Sequence, residues 1–481
     1  PDPATPWLVV LVAWLAFFLV SFDYTAASVA LPSLTETFGV GTSMISWISL
    51  IYFLAIAGLV FPASMLLNSF GYRKSLLWAF LVFAAASLGC ALSADLLLLL
   101  VFRAAQGTAA TVLYVAGPMM IRGLIPEESR NRAYALFAAA GPAGISAGPA
   151  IGGLVTSFAG GQMVFLANLP PVALAVWLLL RRPSFGAGAS LPGDRPGLAG
   201  LALIVLSSVA VVLALNQGRE WGWSSVAIVS LFAVGVAALV GFVVEERHAA
   251  RPLIPPEIFA VRPFRLGNLV FLFVLIPFGG LVFLLPFYLE WYRGYTPHGA
   301  GLLLTVQALS TVAASVACGW LPQRISLRVR LSAAVVLMAC GMIVLAILRQ
   351  PGSIAPLIVS LVAIGGGSGV AMSTTMQVVM GHLPEDLTGT GSAVQSQVRT
   401  LAQLLGVVLF ETVFSQVYVL PSSPAYGAAT SAADLATILA AFRYALVFGL
   451  VCLLLAQLPI WRIPDTLKTQ DNARTEEADR Q

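Results

Sequence analysis

The chain has 481 residues, of which 59% are hydrophobic and 10% are charged, and its formal net charge is +4. A soluble globular domain carries about 25% charged residues, so this composition excludes a water-soluble fold. The four cysteines lie inside apolar runs without metal-ligand spacing, and the basic residues are scattered among short loops. No metal site, disulfide framework or nucleic-acid partner is therefore predicted.

Apolar runs of roughly 18 to 25 residues recur along nearly the whole chain, which is the length that crosses about 30 Å of hydrocarbon. Backbone in lipid must satisfy its own hydrogen bonds, and these runs do not alternate as barrel strands do, so they are predicted to be helices. The first run lacks a signal-peptidase pattern and is expected to be a retained helix. In chain order the predicted helices span 7–30, 44–67, 75–94, 97–121, 131–157, 162–180, 197–216, 224–244, 266–290, 298–321, 330–348, 354–381, 392–418 and 438–461. The predicted fold class is an all-α integral membrane protein with fourteen transmembrane helices.

The distribution of basic residues predicts the orientation of the chain in the membrane. Of the 25 Lys and Arg residues, 20 fall in one set of loops and in the C-terminal tail. Loops rich in Lys and Arg face the cytoplasm, and an even number of helices then places both termini on the cytoplasmic side. We expect the protein to lie in the cytoplasmic (inner) membrane, with residues 464–481 as a disordered cytoplasmic tail.

An internal repeat predicts the domain organisation. The segment 64–73 after predicted helix 2 matches the segment 319–328 after predicted helix 10, with small, amide, small and Arg positions in common. Two parallel bundles are one of the plans of secondary transporters. The predicted domains are a six-helix bundle over 1–182, a linker over 183–250 that inserts predicted helices 7 and 8, and a second six-helix bundle over 251–463.

Three charged residues within the spans are the candidates for chemistry. Asp23 and Arg103 lie at similar depth in predicted helices 1 and 4, so a pair between them is expected. Intramembrane ionisable residues are usually functional, so Asp23 is a candidate proton site, with a fixed structural ion pair as the alternative. Glu411 is a second candidate proton site, a counter-charge for cationic substrates, or a partner of Arg443.

Small and polar residues suggest how the helices pack. Gly144, Gly148 and Gly152 recur every four residues and line one helix face, which lets a neighbouring helix approach closely. Pro149 is expected to bend that helix. Side chains that would line a substrate cavity, or else serve interhelical hydrogen bonds and packing, are Tyr52, Gln106, Tyr114, Gln307 and Gln377.

Five short motifs in the right order resemble a known family. They are D-x-T…A-L-P at 23–32, R-x-x-Q-G at 103–107, G-x-x-x-G-P-x-x-G-G at 144–153, Phe165-Leu-Ala-Asn-Leu-Pro170 and Leu285-Pro-Phe-Tyr288. The chain resembles a fourteen-helix major facilitator of the drug:proton antiporter type along essentially its whole length. The resemblance implies two bundles that rock around a midplane cavity, with the 144–153 motif, Gly153 included, acting at the gate between the bundles.

The resemblance also covers the cytoplasmic loop after predicted helix 2, formed by Asn68, Gly71, Arg73 and Lys74. Asn68 stands where the family usually has an acid that belongs to a cytoplasmic charge network. The network of this chain is therefore expected to differ from that of the family. An aromatic-Arg-aromatic triplet before predicted helix 6 is likewise replaced, by residues 161–163.

Together these observations predict a proton-coupled antiporter that exports small hydrophobic compounds, cationic or neutral, by alternating access. No ATP-binding loop or nucleophile motif is present in the sequence, so an enzyme is not predicted, and protons serve as the coupling ion without a cofactor. The expected partners are a small-molecule substrate and the lipid bilayer; the short outer loops neither require nor exclude a periplasmic adaptor. The alternatives are a dedicated exporter of one metabolite, lipid or antibiotic, and a transport-inactive scaffold or sensor.

Overall fold

A computed structural model of the protein describes residues 5–181, 198–248, 256–318, 325–348, 353–384, 387–418 and 432–463. Within these ranges the chain is helical and contains no β-strand. Fourteen helical segments there are long and apolar enough to cross a membrane. The predicted fold class and helix number are confirmed.

The α-helices are α1 (Thr5–Phe38), α2 (Thr42–Phe70), α3 (Tyr72–Ala91), α4 (Leu96–Leu124), α5 (Glu127–Ala138), α6 (Ala140–Ala159), α7 (Leu169–Arg181), α8 (Leu198–Trp221), α9 (Val226–His248), α10 (Arg262–Phe287), α11 (Pro297–Cys318), α12 (Leu327–Ile347), α13 (Ile354–Met380), α14 (Thr388–Val417) and α15 (Ala432–Arg462). Two 3₁₀-helices, Gly161–Asn168 and Pro256–Ala260, and a π-helical turn, Tyr288–Tyr292, complete the described structure.

Prolines lie at two of the differences between the predicted and observed helix limits. The first helix continues through Pro32 to Phe38, since a proline costs one ladder bond while Leu34 beyond it is fully buried. Predicted helix 5 is divided into α5 and α6 at Ala139, because Pro142 has no N–H and suits the first turn of a new helix. Predicted helix 6 begins instead as the 3₁₀-helix before α7.

Gly71 alone connects α2 to α3. Its φ is +79°, a backbone conformation that glycine adopts without the steric cost a side chain would bring. A chain reversal of one residue therefore joins the end of α2 to the start of α3, which explains the glycine of the cytoplasmic loop motif.

The chain divides into two compact units. Unit 1 comprises residues 1–253, 279–305 and 404–445, and unit 2 comprises residues 254–278, 306–403 and 446–481. The limits of these units cross helices, so the predicted bundles over 1–182 and 251–463 and the linker over 183–250 stay predictions. The predicted disordered tail, 464–481, lies outside the described residues.

Glycines bring the helices of unit 2 close together. A Cβ added to Gly365 or Gly369 of α13 would meet backbone carbonyls of α11, and one added to Gly367 would meet Met338 of α12, at 2.7 Å from its nitrogen. The glycine run of α13 is thus a packing device, as close helix approach in membranes requires.

Candidate functional site

A buried ion pair joins α1 to α4 in unit 1. Arg103 donates from Nη1 to Asp23 Oδ2 at 2.7 Å, and the two side chains are 0% and 1% exposed. Arg103 also donates from Nε to the backbone oxygen of Ile48 in α2, at 3.0 Å. The pairing expected from the depths of the two residues is present in the structure.

Two amide side chains complete the shell around Asp23. Gln106 of α4 donates from Nε2 to Asp23 Oδ1 at 3.1 Å, and Asn168 of the 3₁₀-helix donates from Nδ2 to the same oxygen at 2.7 Å. Gln106 also accepts from Arg103 Nη1 at 2.6 Å and donates to Ser87 Oγ of α3 at 2.8 Å. Three donors therefore converge on two oxygens, which is the environment of an ionised carboxylate.

Aromatic rings enclose the guanidinium of Arg103. Its Cζ lies 4.5 Å from the ring centroid of Tyr52 and 5.3 Å from that of Phe165, distances typical of cation–π contacts. Tyr52 is fully buried and donates from its hydroxyl to the backbone oxygen of Val20 at 3.3 Å. In this structure Tyr52 and Gln106 both serve the ion pair, and their lining of a substrate cavity stays a prediction.

The glycine face of α6 packs directly on the α1 backbone. A Cβ added to Gly144 would lie 2.5 Å from the oxygen of Phe18, and one added to Gly148 or Gly152 would lie 2.9 Å or 2.8 Å from backbone atoms of Ala26. These contacts bracket Asp23 along α1. The predicted packing face is confirmed, and α1 packs against both α6 and α4.

The remaining glycine of the motif, Gly153, faces a different helix. A Cβ on Gly153 would lie 3.0 Å from the Cα of Gly301 in α11 and would collide with the backbone oxygen of Pro297. Nearby, the backbone N–H of His298 donates to Ser157 Oγ at 2.8 Å. Gly301 was not singled out from the sequence, because one glycine beside a loop gives no periodic signal.

Glu411 lies in a second buried site, between α14 and α2. Its side chain is 0% exposed, and its Oε1 accepts a hydrogen bond from Thr42 Oγ1 at 3.2 Å. Oε2 has no hydrogen-bond partner among the described residues. Of the alternatives considered, pairing with Arg443 is not the arrangement found. The other groups that face Glu411 are the Ser415 hydroxyl and the charges of Arg219 and Glu220.

Tyr114, Gln307 and Gln377 are the remaining predicted cavity residues. Tyr114, in unit 1, makes an edge contact with Phe17, with ring centroids 5.7 Å apart. Gln307 of unit 2 is 4% exposed, and its side-chain Nε2 has no partner in the described part of the chain. Gln377, also in unit 2, accepts from Arg330 at 3.5 Å. Their role in a substrate cavity stays a prediction.

The arginines of the internal repeat make equivalent contacts. Arg73, at the start of α3, donates from Nε to the backbone oxygen of Leu179 in the last turn of α7, at 3.0 Å. Arg328, at the start of α12, donates from Nε to the backbone oxygen of Ile463, just after α15. Each cation thus satisfies a carbonyl at a helix C-terminus, where positive charge is favourable. Lys74 is exposed, and the side chain of Asn68 lies outside the described residues.

No group of three or more His, Cys, Asp or Glu residues suited to a metal ion occurs in the described ranges.

Comparison with known proteins decides the family. The sequence profile described as Major Facilitator Superfamily matches residues 13–407. The chain belongs to the major facilitator superfamily. As a member of this superfamily it is a multi-pass membrane transporter, not an enzyme, and it acts on small-molecule substrates.

Two relatives that match most of the chain are named as multidrug resistance proteins. The chain is 26% identical over 412 residues to "Multidrug resistance protein Stp" of Mycobacterium tuberculosis, covering 85% of this chain and 76% of the relative. It is 28% identical over 410 residues to "Putative multidrug resistance protein MdtD" of Escherichia fergusonii, covering 85% and 86%. The predicted resemblance to this family is confirmed.

Solved structures agree on the fold. A POT family transporter in complex with 5-aminolevulinic acid has a TM-score of 0.69 at 14% identity and covers 95% of this chain and 96% of its own. A bacterial homologue of the human lysosomal transporter Spinster has a TM-score of 0.67 at 16% identity and covers 96% and 97%. At these identities the likeness shows the major facilitator fold alone.

Proposed function

We propose that the protein is a proton-coupled antiporter that exports small hydrophobic compounds, cationic or neutral, across the cytoplasmic membrane, with both termini in the cytoplasm. Its relatives carry multidrug resistance names. The observation that best supports the proposed proton coupling is the buried Asp23 carboxylate, which lies on a helix packed against the α6 glycine face while its donors come from other elements.

Movement of α1 relative to α4 supplies the coupling step at Asp23. With Arg103, Gln106 and Asn168 all donating, the carboxylate is stable in its ionised form. Withdrawal of a donor would remove a hydrogen bond that stabilises the charged form and free a lone pair of Asp23 for a proton. A shift of α1, driven through its backbone contacts with α6, would withdraw the donors of α4 and admit the proton.

Glu411 supplies a second proton site in this proposal. It is fully buried, its Oε1 accepts from the Thr42 hydroxyl, the Ser415 hydroxyl also faces the carboxyl, and its Oε2 has no hydrogen-bond partner among the described groups. An isolated carboxylate buried in a membrane is costly, and a neutral acid is not. Glu411 therefore carries its proton while α2 and α14 are in contact, and it ionises when their separation admits water.

We propose that the gate lies at two helix contacts. Gly153 meets Gly301 where α6 crosses α11, and Thr42 meets Glu411 where α2 crosses α14. We place both contacts on the outer side, following the distribution of basic residues. Opening to the outside would separate both pairs. The substrate must bind one state better than the other, since equal binding to both states shifts nothing.

Proton flux in liposomes tests the proposal. The purified protein is reconstituted with an imposed pH gradient and a pH-sensitive dye, and ethidium is added to wild type, Asp23→Asn and Glu411→Gln. We expect ethidium-dependent proton flux in wild type and its loss in Asp23→Asn. Flux that persists in both variants would refute these proton sites. If none of a panel of unrelated dyes causes proton flux, a dedicated exporter of one compound would be favoured instead.

A further inference from the structure

The inserted helix α8 contacts both helices that meet at Glu411. It contacts α2, in the predicted N-terminal bundle, and α14, in the predicted C-terminal bundle. If the two helices separate in transport, α8 must stay with one and leave the other. The contacts differ enough to decide which.

Asn216 fastens α8 to the first turn of α2. Its Nδ2 donates to Ser46 Oγ at 3.0 Å and to the backbone oxygen of Ser43 at 3.4 Å. The Ser43 hydroxyl donates to Asn216 Oδ1 at 3.4 Å and to its backbone oxygen at 3.3 Å. Asn216 is 3% exposed, so losing these partners would leave buried polar groups unpaired, which is costly.

A second contact between α8 and α2 lies far from Asn216. A Cβ added to Gly58 of α2 would lie 2.8 Å from Cγ2 of Val205 in α8. Val205 and Asn216 are eleven residues apart, or about 16 Å along the helix. Two separated contacts fix the direction of one helix on another, whereas a single contact allows pivoting.

The link from α8 to α14 is weaker. Among the described residues, one hydrogen bond joins the two helices, from Thr412 Oγ1 to the backbone oxygen of Leu215, at 3.1 Å. The charges of Arg219 and Glu220 on α8 also face Glu411, without a hydrogen bond to it. The Thr412 hydroxyl also donates to the oxygen of Val408, one turn back on its own helix, at 2.7 Å. Thr412 therefore keeps a partner when α14 withdraws, and the link breaks at little cost.

We infer that the inserted helix α8 is a permanent part of the body that carries α2, held there by Asn216, and that the gate opens between α8 and α14. The inserted pair then moves with the N-terminal bundle in each cycle. Asn216 is a positioning residue, which holds the α2 turn that presents Thr42 to Glu411. The inference rests on the opening of the α2–α14 gate proposed above.

Two cross-links in the full-length protein, after replacement of its four cysteines, test the inference. Gly58→Cys with Val205→Cys joins α8 to α2, and the Cβ separation of 3.7 Å suits a disulfide. Leu215→Cys with Thr412→Cys, bridged by a short bis-methanethiosulfonate reagent, joins α8 to α14. Ethidium-dependent proton flux is measured before linking, after linking and after reduction.

We expect the α8–α2 disulfide to leave flux at the level of the reduced protein, and the α8–α14 bridge to abolish flux until it is reduced. Loss of flux with the α8–α2 disulfide, or full flux with the α8–α14 bridge, would overturn the inference. Should the first pair fail to fold, the distance between spin labels on α8 and α2 replaces it. Absence of flux in wild type would count against the proposed antiport, and the spin-label distance then tests the inference separately. We expect that distance to stay constant with and without ethidium at pH 5 and pH 8. A change in that distance would overturn the inference.

Discussion

Replacing Asp23 by Asn should destabilise the protein strongly. The change removes a negative charge and one hydrogen-bond acceptor from a buried site in which both carboxylate oxygens already accept hydrogen bonds. Three donors point at the two Asp23 oxygens, so an amide must turn its NH₂ towards at least one of them. The cation of Arg103, which is 0% exposed, also loses its counter-charge. Removing one partner of a buried pair costs about 3–5 kcal/mol, and we expect a loss in that range.

The double variant Asp23→Asn/Arg103→Gln separates the charge from the geometry. It removes the orphaned cation, so its loss of unfolding free energy should be smaller than the sum of the two single losses by about 2 kcal/mol. The assay is reversible unfolding in mixed micelles, followed by circular dichroism. Asp95→Asn is the matched control, since Asp95 is an exposed N-cap that accepts from Leu98 N at 2.8 Å and Asn caps equally well.

Additive losses in the double variant would refute the reasoning, because they would mean that Asp23 and Arg103 are not energetically coupled. Restored stability without restored proton flux would instead show that the ion pair of Asp23 and Arg103 acts in transport as well as in folding. Flux equal to wild type in the double variant would leave the ion pair as a purely structural feature.

Three further predictions concern the gate and the repeat. Gly153→Ala should lower the free energy of unfolding by about 1–3 kcal/mol through overpacking and should slow ethidium-dependent proton flux. Gly366→Ala should do neither, because its added Cβ lies 3.5 Å or more from its neighbours. Equal shifts in melting temperature for the two variants would contradict this. Glu411→Gln should change the melting temperature little at pH 7, because Gln is the shape of a neutral acid and can still accept a hydrogen bond; a large fall would mean that Glu411 is ionised in this state. Arg73→Gln should lower stability by about 1–3 kcal/mol through loss of its charged hydrogen bond, and exposed Lys74→Gln should not; matching melting curves of Arg73→Gln and wild type would count against the helix-end contact.

The number and class of the helices were predictable because a membrane imposes one length and one polarity on each crossing. Their limits were less so. Pro32 and Pro142 carry the same local signal, yet a helix runs through the first and starts afresh near the second. The difference lies in packing beyond each proline, which the sequence does not display.

The pair between Asp23 and Arg103 was predictable from depth alone, since few charges are available at that level to pair. Its hydrogen-bond shell was not. Ser87 is an ordinary serine in an apolar helix, and only the three-dimensional arrangement brings it to Gln106. Asn168 carried a signal, as part of the Phe165–Pro170 motif, but nothing in that motif indicated Asp23 as its partner.

The partner of Glu411 was beyond sequence reasoning for a related reason. Charge favours Arg443 as a partner, whereas the structure presents Thr42, 369 residues away in sequence. A hydroxyl at a helix start has many uses, so Thr42 gave no signal. Asn216 was equally silent, because one amide near a helix end does not distinguish interhelical bonding from a solvated position.

The single-residue link at Gly71 leaves no slack between α2 and α3. Two helices joined by a long loop can rotate about their axes independently. Here a rotation of α2 must either change the φ and ψ angles of Gly71 or rotate α3 as well. One additional residue at this point would change the phase of α3 by about 100° and turn its buried face, including Ser87, away from Gln106. The length of this connection is therefore as strictly determined as the identity of the glycine. An insertion here, of a kind that most surface loops tolerate, would disturb the ion pair of Asp23 and Arg103.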